Sequence, residues 1–128
     1  MPDEKLVLVV GQNLFFLPRI QNAANPHGYK VTLARTEQDF WDMFKEAEPV
    51  LVLIDLEGDD TIWPNVVEGL RNQHKSEVRV VAFGPHSDEA GMAKARELGC
   101  NQVVTKGEFS RDLHKILEVP AESRSTEA

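Results

Sequence analysis

Cysteine is nearly absent from this sequence, which contains one, Cys100, in 128 residues. A single thiol excludes an internal disulfide framework and a zinc site built from cysteines. Long hydrophobic runs are also missing, because runs such as residues 50–54 fall far short of the roughly 20 apolar residues that a membrane helix needs. Residues 1–5, MPDEK, lack the charged-then-apolar layout of a signal peptide. We therefore expect a reduced, cytoplasmic protein.

Basic residues are outnumbered by acidic ones. The sequence has 14 Lys and Arg against 21 Asp and Glu, which gives a formal net charge of −7. Nucleic acids and anionic membrane surfaces both require a cationic protein surface, so we expect no nucleic-acid partner and no membrane partner. A length of 128 residues, with 41% hydrophobic and 27% charged residues, is typical of one globular domain.

Short aliphatic stretches alternate with segments of helical spacing. Apolar runs without polar alternation are typical of strands buried on both faces of a parallel sheet. We predict five strands, at residues 6–10, 31–34, 50–54, 78–83 and 102–105. A helix follows each strand, which predicts an open, doubly wound α/β fold of five βα units.

The sequence also predicts three helix ends and one domain boundary. Thr36 and Ser110 are predicted N-caps, and Gly99 is a predicted C-cap. We expect a single domain over residues 1–118. Residues 119–128 are small and polar, and we expect them to form a flexible tail.

Sites in open parallel sheets form where loops leave the carboxyl ends of the strands. The residues at these ends are Gly11, Gln12, Asp55, Glu57, Gly84, Thr105 and Lys106. Asp55 and Lys106 stand out, because each ends a hydrophobic strand, where a charge is costly unless it is paired or used. An ion pair between the two, without chemistry, is the simpler interpretation.

Two stretches resemble a known family. Residues 50–56, VLVLIDL, are similar to the phosphoacceptor strand of response-regulator receiver domains, and residues 95–106, ending at Lys106, resemble the family's run into its lysine. The resemblance spans roughly residues 5–118. It implies a flavodoxin-like strand order 2-1-3-4-5, with Asp55 as the phosphoacceptor and Lys106 as its cation. Gly84 and Thr105 would then be neighbours of the phosphate.

Other positions depart from the family pattern. In receivers, two acids after the first strand bind Mg²⁺, and a hydroxyl after the fourth strand holds the phosphoryl oxygen. Here these positions are Gly11, Gln12 and Gly84. The resemblance is therefore to an atypical or pseudo-receiver, for which we expect no cofactor. Mg²⁺ enters only if Asp55 is phosphorylated, with Glu57 as one candidate source of a displaced carboxylate.

The sequence thus favours a stand-alone signalling module that acts by protein–protein contact with a sensor kinase or a downstream regulator. A homodimer through helix 4, strand 5 and helix 5 is a further expectation. One alternative is a working phosphoacceptor that uses Asp55 with an unconventional metal site. Another is a small-ligand-binding flavodoxin-like domain, which the absence of a glycine-rich loop after the first strand disfavours. No nucleophile–base pair is visible, so we expect no enzyme.

Overall fold

The computed structural model describes residues 5–12, 15–57 and 59–126. The strands are β1 (Lys5–Val10), β2 (Tyr29–Ala34), β3 (Leu51–Asp55), β4 (Arg79–Gly84) and β5 (Gln102–Thr105). The helices are α1 (Leu17–Ala24), α2 (Glu37–Glu46), α3 (Trp63–Glu68), α4 (Glu89–Leu98) and α5 (Lys106–Thr126). A short 3₁₀ turn follows α1 at Asn25–His27, and a π-helical turn extends α3 at Gly69–Gln73. All five predicted strands are present, with boundaries within two residues of those expected.

The five strands form one parallel sheet in the order β2-β1-β3-β4-β5. The first crossover places β2 on one side of β1, and the next places β3 on the other side, so β1 and β3 are neighbours. The predicted flavodoxin-like fold is therefore confirmed. In this order the carboxyl ends of β1, β3, β4 and β5 lie side by side, which brings their loops to one edge.

Strand side chains alternate between two hydrophobic layers. In β1, Leu8 and Val10 belong to the layer packed against α2, α3 and α4, whereas Val7 and Val9 belong to the layer packed against α1 and α5. Every residue of β3 is buried. Burial on both faces explains why the strands are uninterrupted apolar runs in the sequence.

The helix caps are mostly those expected. The Thr36 hydroxyl accepts a hydrogen bond from the Asp39 N–H at 3.0 Å, and Gly99 ends α4 with φ of 115°. The predicted cap at Ser110 is wrong, because α5 begins four residues earlier, at Lys106. The cap belongs to Thr105: its hydroxyl accepts from the Glu108 N–H, and the Glu108 carboxylate accepts from the Thr105 N–H.

The α5 backbone continues past residue 118, to Thr126. The flexibility predicted for residues 119–128 stays a prediction, and residues 127 and 128 lie outside the described residues. Within the described ranges, no helix is both long enough and apolar enough to cross a membrane.

Candidate functional site

Asp55 is the last residue of β3 and lies at the carboxyl edge of the sheet. Its side chain is 4% exposed, and its Oδ1 accepts a hydrogen bond from the Glu57 N–H at 3.0 Å. Burial raises the pKa of this carboxyl above its ordinary value, and the Glu57 charge adds to the rise. The Glu57 N–H and the Lys106 charge lower the pKa, but by less than burial raises it. Asp55 is thus a poorly solvated carboxyl that accepts one hydrogen bond from the residues that the structure describes.

Lys106 follows β5 as the first residue of α5. Its ammonium forms a salt bridge with the Glu57 carboxylate, and both side chains are partly exposed. The same Nζ lies 5.7 Å from the ring centre of Phe16, within cation–π range. Among the described residues, Asp55 forms no ion pair, so the Asp55–Lys106 pair considered from the sequence is replaced by Glu57–Lys106. The Lys106 charge still lowers the pKa of Asp55 from a greater distance.

Gly11 and Gln12 follow β1 directly beside Asp55. A Cβ atom built on Gly11 would lie 3.0 Å from the Asp55 Cβ and 3.6 Å from its Oδ2. A side chain at position 11 would therefore have to displace Asp55 by a few tenths of an ångström. Gln12 is exposed, and its Nε2 donates to the Arg35 carbonyl at 2.6 Å. The amide is thereby fastened to the loop after β2.

Gly84 ends β4 and is buried. A Cβ atom at this position would lie 3.0 Å from the Leu56 Cβ and 3.2 Å from its Cδ1. The Leu56 side chain therefore occupies the space beside the position where a hydroxyl-bearing side chain would begin. Thr105, the other predicted neighbour of the phosphate, has its hydroxyl engaged in the N-cap of α5.

An aromatic cluster packs beneath Lys106. Phe16 makes edge-to-face contacts with Phe83 of β4 and Phe109 of α5, whose rings stack with centres 4.0 Å apart. The neighbouring Phe15 is 78% exposed and faces outward. Trp63, at the start of α3, is 3% exposed and belongs to the core.

The edge thus brings together all the predicted site residues, and the arrangement defines a receiver-like domain. A family model for the response regulator receiver domain matches residues 7–118. The chain belongs to this family, whose members are signalling modules of two-component systems. A search of curated protein sequences finds no significant match.

Solved structures support the fold assignment. A CheY-like response regulator receiver domain protein from Methanospirillum hungatei JF-1 is 16% identical, with a TM-score of 0.80 over 98% of this chain and 100% of that one. The receiver domain of an HD domain-containing protein from Pseudomonas fluorescens Pf-5 is 18% identical, with a TM-score of 0.80 over 96% and 98% of the two chains. The receiver domain of Ssk1 from Saccharomyces cerevisiae, in a co-crystal with the phosphotransfer protein Ypd1, is 22% identical, with a TM-score of 0.76 over 94% and 91%. Because the sequence identities are this low, the three structures show a shared fold and no more.

Receiver domains use Mg²⁺ when they are phosphorylated, so the donor atoms at this edge must be weighed against the needs of that ion. Mg²⁺ prefers octahedral oxygen ligands with one or two carboxylates. Gly11 supplies no side chain, Gln12 supplies a neutral amide, and the Glu57 carboxylate binds Lys106. Among the described residues, no group of three or more His, Cys, Asp and Glu is arranged to hold a metal ion. Of the positions named here, Asp55 alone offers a carboxylate without a described salt bridge, which is a poor fit to Mg²⁺.

Proposed function

We propose that this receiver domain signals by contact with another protein, and that Asp55 is not phosphorylated in a Mg²⁺-dependent reaction. The observation that carries the proposal is the salt bridge between Lys106 and Glu57. It occupies the cation that the family resemblance assigns to the phosphoryl group. A phosphoryl group on Asp55 would have to compete with a carboxylate attached two residues further along the same loop.

The electrostatics around Asp55 add support. A carboxylate attacks in its ionised form, and burial raises the pKa of Asp55, so that form is less favourable here than it is in water. An incoming phosphoryl group is an anion, and its charge must be offset by a metal ion or cations. Positions 11 and 12 supply no carboxylate, and together their side chains contribute one neutral amide oxygen, from Gln12, toward a metal ion.

If Asp55 carried a phosphoryl group, the domain would also lack the residues that transmit phosphorylation to its surface. In receivers, a hydroxyl after the fourth strand holds the phosphoryl oxygen. Here the residue at that position is Gly84, which packs against Leu56. The aromatic residue that the resemblance leads one to expect three positions before the lysine is Val103. Regulation of this domain would then act through binding, abundance or assembly. The domain itself is expected to catalyse no reaction.

A protein is the expected partner, either a sensor kinase or a downstream regulator. The co-crystal of the Ssk1 receiver domain with Ypd1 is a case in which this fold binds a protein. A homodimer through α4, β5 and α5 stays a prediction. The exposed residues of α4 include alanine and charged side chains, such as Ala93, Lys94 and Glu97, in place of an apolar patch.

The decisive experiment is an amide NMR titration with millimolar Mg²⁺ followed by beryllofluoride. We expect no saturable shifts at Asp55, Gly84 or Lys106. Gln12→Asp is the matched control, because it adds a carboxylate at an exposed position beside Asp55 and should increase the response to Mg²⁺. Saturable shifts in the wild type that disappear in Asp55→Asn would overturn the proposal and establish a phosphoacceptor with an unconventional metal site. A small molecule that copurifies with the domain and shifts the same resonances would favour the ligand-binding alternative.

A further inference from the structure

A small cleft, which we call the α2 cleft, lies between the C-terminal end of α2 and the strands β1 and β2. Its volume is about 220 Å³. Pockets for drug-sized ligands are larger, at roughly 300–1,000 Å³, so the occupant would be a smaller molecule. Because α2 runs from the carboxyl ends of the strands back toward their amino ends, the cleft lies away from the edge that contains Asp55.

The floor of the α2 cleft is apolar. It is formed by Leu6 and Leu8 of β1 and by Met43 of α2. Leu8 is fully buried, whereas Leu6 and Met43 are partly buried and pack against the same hydrophobic layer. Partly buried apolar groups on a concave surface lose contact with water when a ligand covers them, which favours binding of an apolar group.

The side of the cleft that β2 forms is polar. Lys30 and Thr32 line it, and they lie in register with Leu6 and Leu8. The face of the sheet toward α2 therefore changes from apolar on β1 to polar on β2. Lys30 also belongs to the segment of residues 5–36, which contains four basic residues and no acid. This side of the cleft thus offers one ammonium and one hydroxyl.

The side of the cleft that α2 forms is negative. It includes the Glu46 carboxylate, and Ala47 ends the helix in an extended conformation. The last carbonyl groups of a helix lack partners within the helix, which gives its C-terminal end a partial negative charge. Among the described residues, Lys30 and Glu46 take part in no salt bridge, either with each other or with another side chain. The cleft therefore has unpaired charges of opposite sign on its two sides.

We propose that the α2 cleft binds a small zwitterion with an apolar body, the chemical class to which aliphatic amino acids belong. The carboxylate of the ligand would meet the Lys30 ammonium and the Thr32 hydroxyl, both of which donate hydrogen bonds. Its ammonium would meet the Glu46 carboxylate and the C-terminal end of α2, and its apolar body would cover the floor. The site is independent of the proposed function, because the cleft and Asp55 are at opposite edges of the sheet.

Ligands with a single charge are poorer occupants of the cleft. A monocarboxylate would pair with Lys30 but would leave the Glu46 carboxylate beside its apolar body, and an amine would leave Lys30 in the same way. Covering a charge without pairing it costs free energy. A side chain of a partner protein also carries at most one charge, so it would leave one of the two unpaired. A zwitterion pairs both.

The test is an amide NMR titration of the full chain with leucine and with two analogues that each lack one charge. We expect leucine to give saturable shifts at Leu6, Thr32 and Glu46, with a dissociation constant below about 1 mM. Leucinol lacks the carboxylate and isocaproate lacks the ammonium, so each should bind at least about tenfold more weakly. A parallel titration with ε-aminocaproate, compared with caproate and hexylamine, covers a zwitterion whose two charges are further apart.

Variants assign each charge of the ligand to its partner. Lys30→Gln should weaken binding of the zwitterion about tenfold and leave binding of the amine analogue within about twofold. Glu46→Gln should weaken the zwitterion to the same extent and leave the carboxylate analogue unaffected. Lys45→Gln and Glu48→Gln are matched controls, because they make the same charge changes at exposed positions outside the cleft lining. A dispersed amide spectrum checks that each variant is folded.

Three outcomes would overturn the inference. They are affinities of both zwitterions no higher than those of their single-charge analogues, saturable shifts confined to other parts of the domain, and equal weakening by Lys45→Gln and Lys30→Gln. The titration needs neither Mg²⁺ nor beryllofluoride, and Asp55→Asn should leave it unchanged. Loading at Asp55 with zwitterion binding retained would therefore refute the proposed function alone, whereas no loading and no zwitterion binding would refute the cleft alone.

Discussion

Two polar clusters lie at opposite edges of the sheet, and they differ in how well their charged groups are bonded. At the amino ends of β4 and β5, Arg71 donates to the carbonyls of Gly99, Ser76 and Val78 and to the Asn101 side chain, at 2.8–3.0 Å. At the carboxyl end of β3, the more deeply buried Asp55 accepts one hydrogen bond from the described residues. The hydrogen bonds of Arg71 to several carbonyls explain the presence of its charge through stability. The single hydrogen bond of Asp55 does not explain the presence of a buried carboxyl in this way.

The largest effect is expected at the well-bonded edge. Arg71→Leu removes four hydrogen bonds and leaves partly buried carbonyl groups unsatisfied, so it should lower the free energy of unfolding by about 3 kcal/mol. Chemical denaturation at neutral pH measures this loss.

Arg79→Leu is the matched control. Arg79 makes one side-chain hydrogen bond, to Gln102, and its Nε is buried without a partner among the described residues. We expect this variant to lose about 1 kcal/mol. Equal losses in the two variants would mean that the hydrogen bonds of Arg71 do not account for its contribution.

At Asp55 a substitution is expected to raise the free energy of unfolding instead of lowering it. Asp55→Asn keeps an oxygen that accepts from the Glu57 N–H and removes a buried charge, so it should raise the free energy of unfolding by about 1 kcal/mol at neutral pH. Because the pKa of Asp55 is raised in the folded state, the wild type binds a proton more tightly when folded. Its stability therefore falls as pH rises from the ordinary pKa to the raised one, and Asp55→Asn removes that fall.

Denaturation of both proteins at a series of pH values checks the sign. The difference between them should be small below 3.8, the ordinary pKa of an aspartate side chain, and reach its full size above the raised pKa. If Asp55→Asn is less stable than the wild type at neutral pH, the ionised carboxylate makes a favourable interaction that the described contacts do not account for.

The smallest change in stability is expected at Glu57. Glu57→Gln breaks a salt bridge between partly exposed groups, so it should cost about 0.5 kcal/mol or less. The same substitution removes a negative charge that raises the pKa of Asp55, and that pKa should fall. Carboxyl-carbon NMR titration measures the change.

Asp112→Asn serves as the control for Glu57→Gln, because it breaks the exposed Arg111–Asp112 pair at a distant position. It should leave the pKa of Asp55 unchanged. A similar shift in both variants would indicate that the effect of Glu57 is not local.

The contrast between the edges also separates what the sequence can predict from what it cannot. Buried strands are uninterrupted apolar runs, and the Thr36 cap is a local pattern, so both are predictable directly. The Thr105–Glu108 capping box is equally local, yet the prediction placed the cap at Ser110, although Thr105 and Glu108 have the spacing that the motif requires. Arg71 could not be foreseen, because its partners extend to 30 residues away along the chain.

At the candidate site, the predicted residues share one edge but one expected pairing differs. Strand order alone brings Asp55, Gly84 and Lys106 to that edge. Which carboxylate reaches Lys106 depends on the path of the loop after β3, and that path is set by tertiary contacts. The sequence contained the alternative, since Glu57 follows Asp55 by two residues.

The absence of acids between Lys5 and Thr36 has a kinetic consequence as well. The segment from Lys5 to Thr36 is therefore the basic part of an acidic chain. A charged partner approaching by diffusion would be steered by this uneven distribution before any contact forms, which raises the association rate. Because screening limits this guidance to about 8 Å at physiological ionic strength, added salt would slow association more than it would speed dissociation.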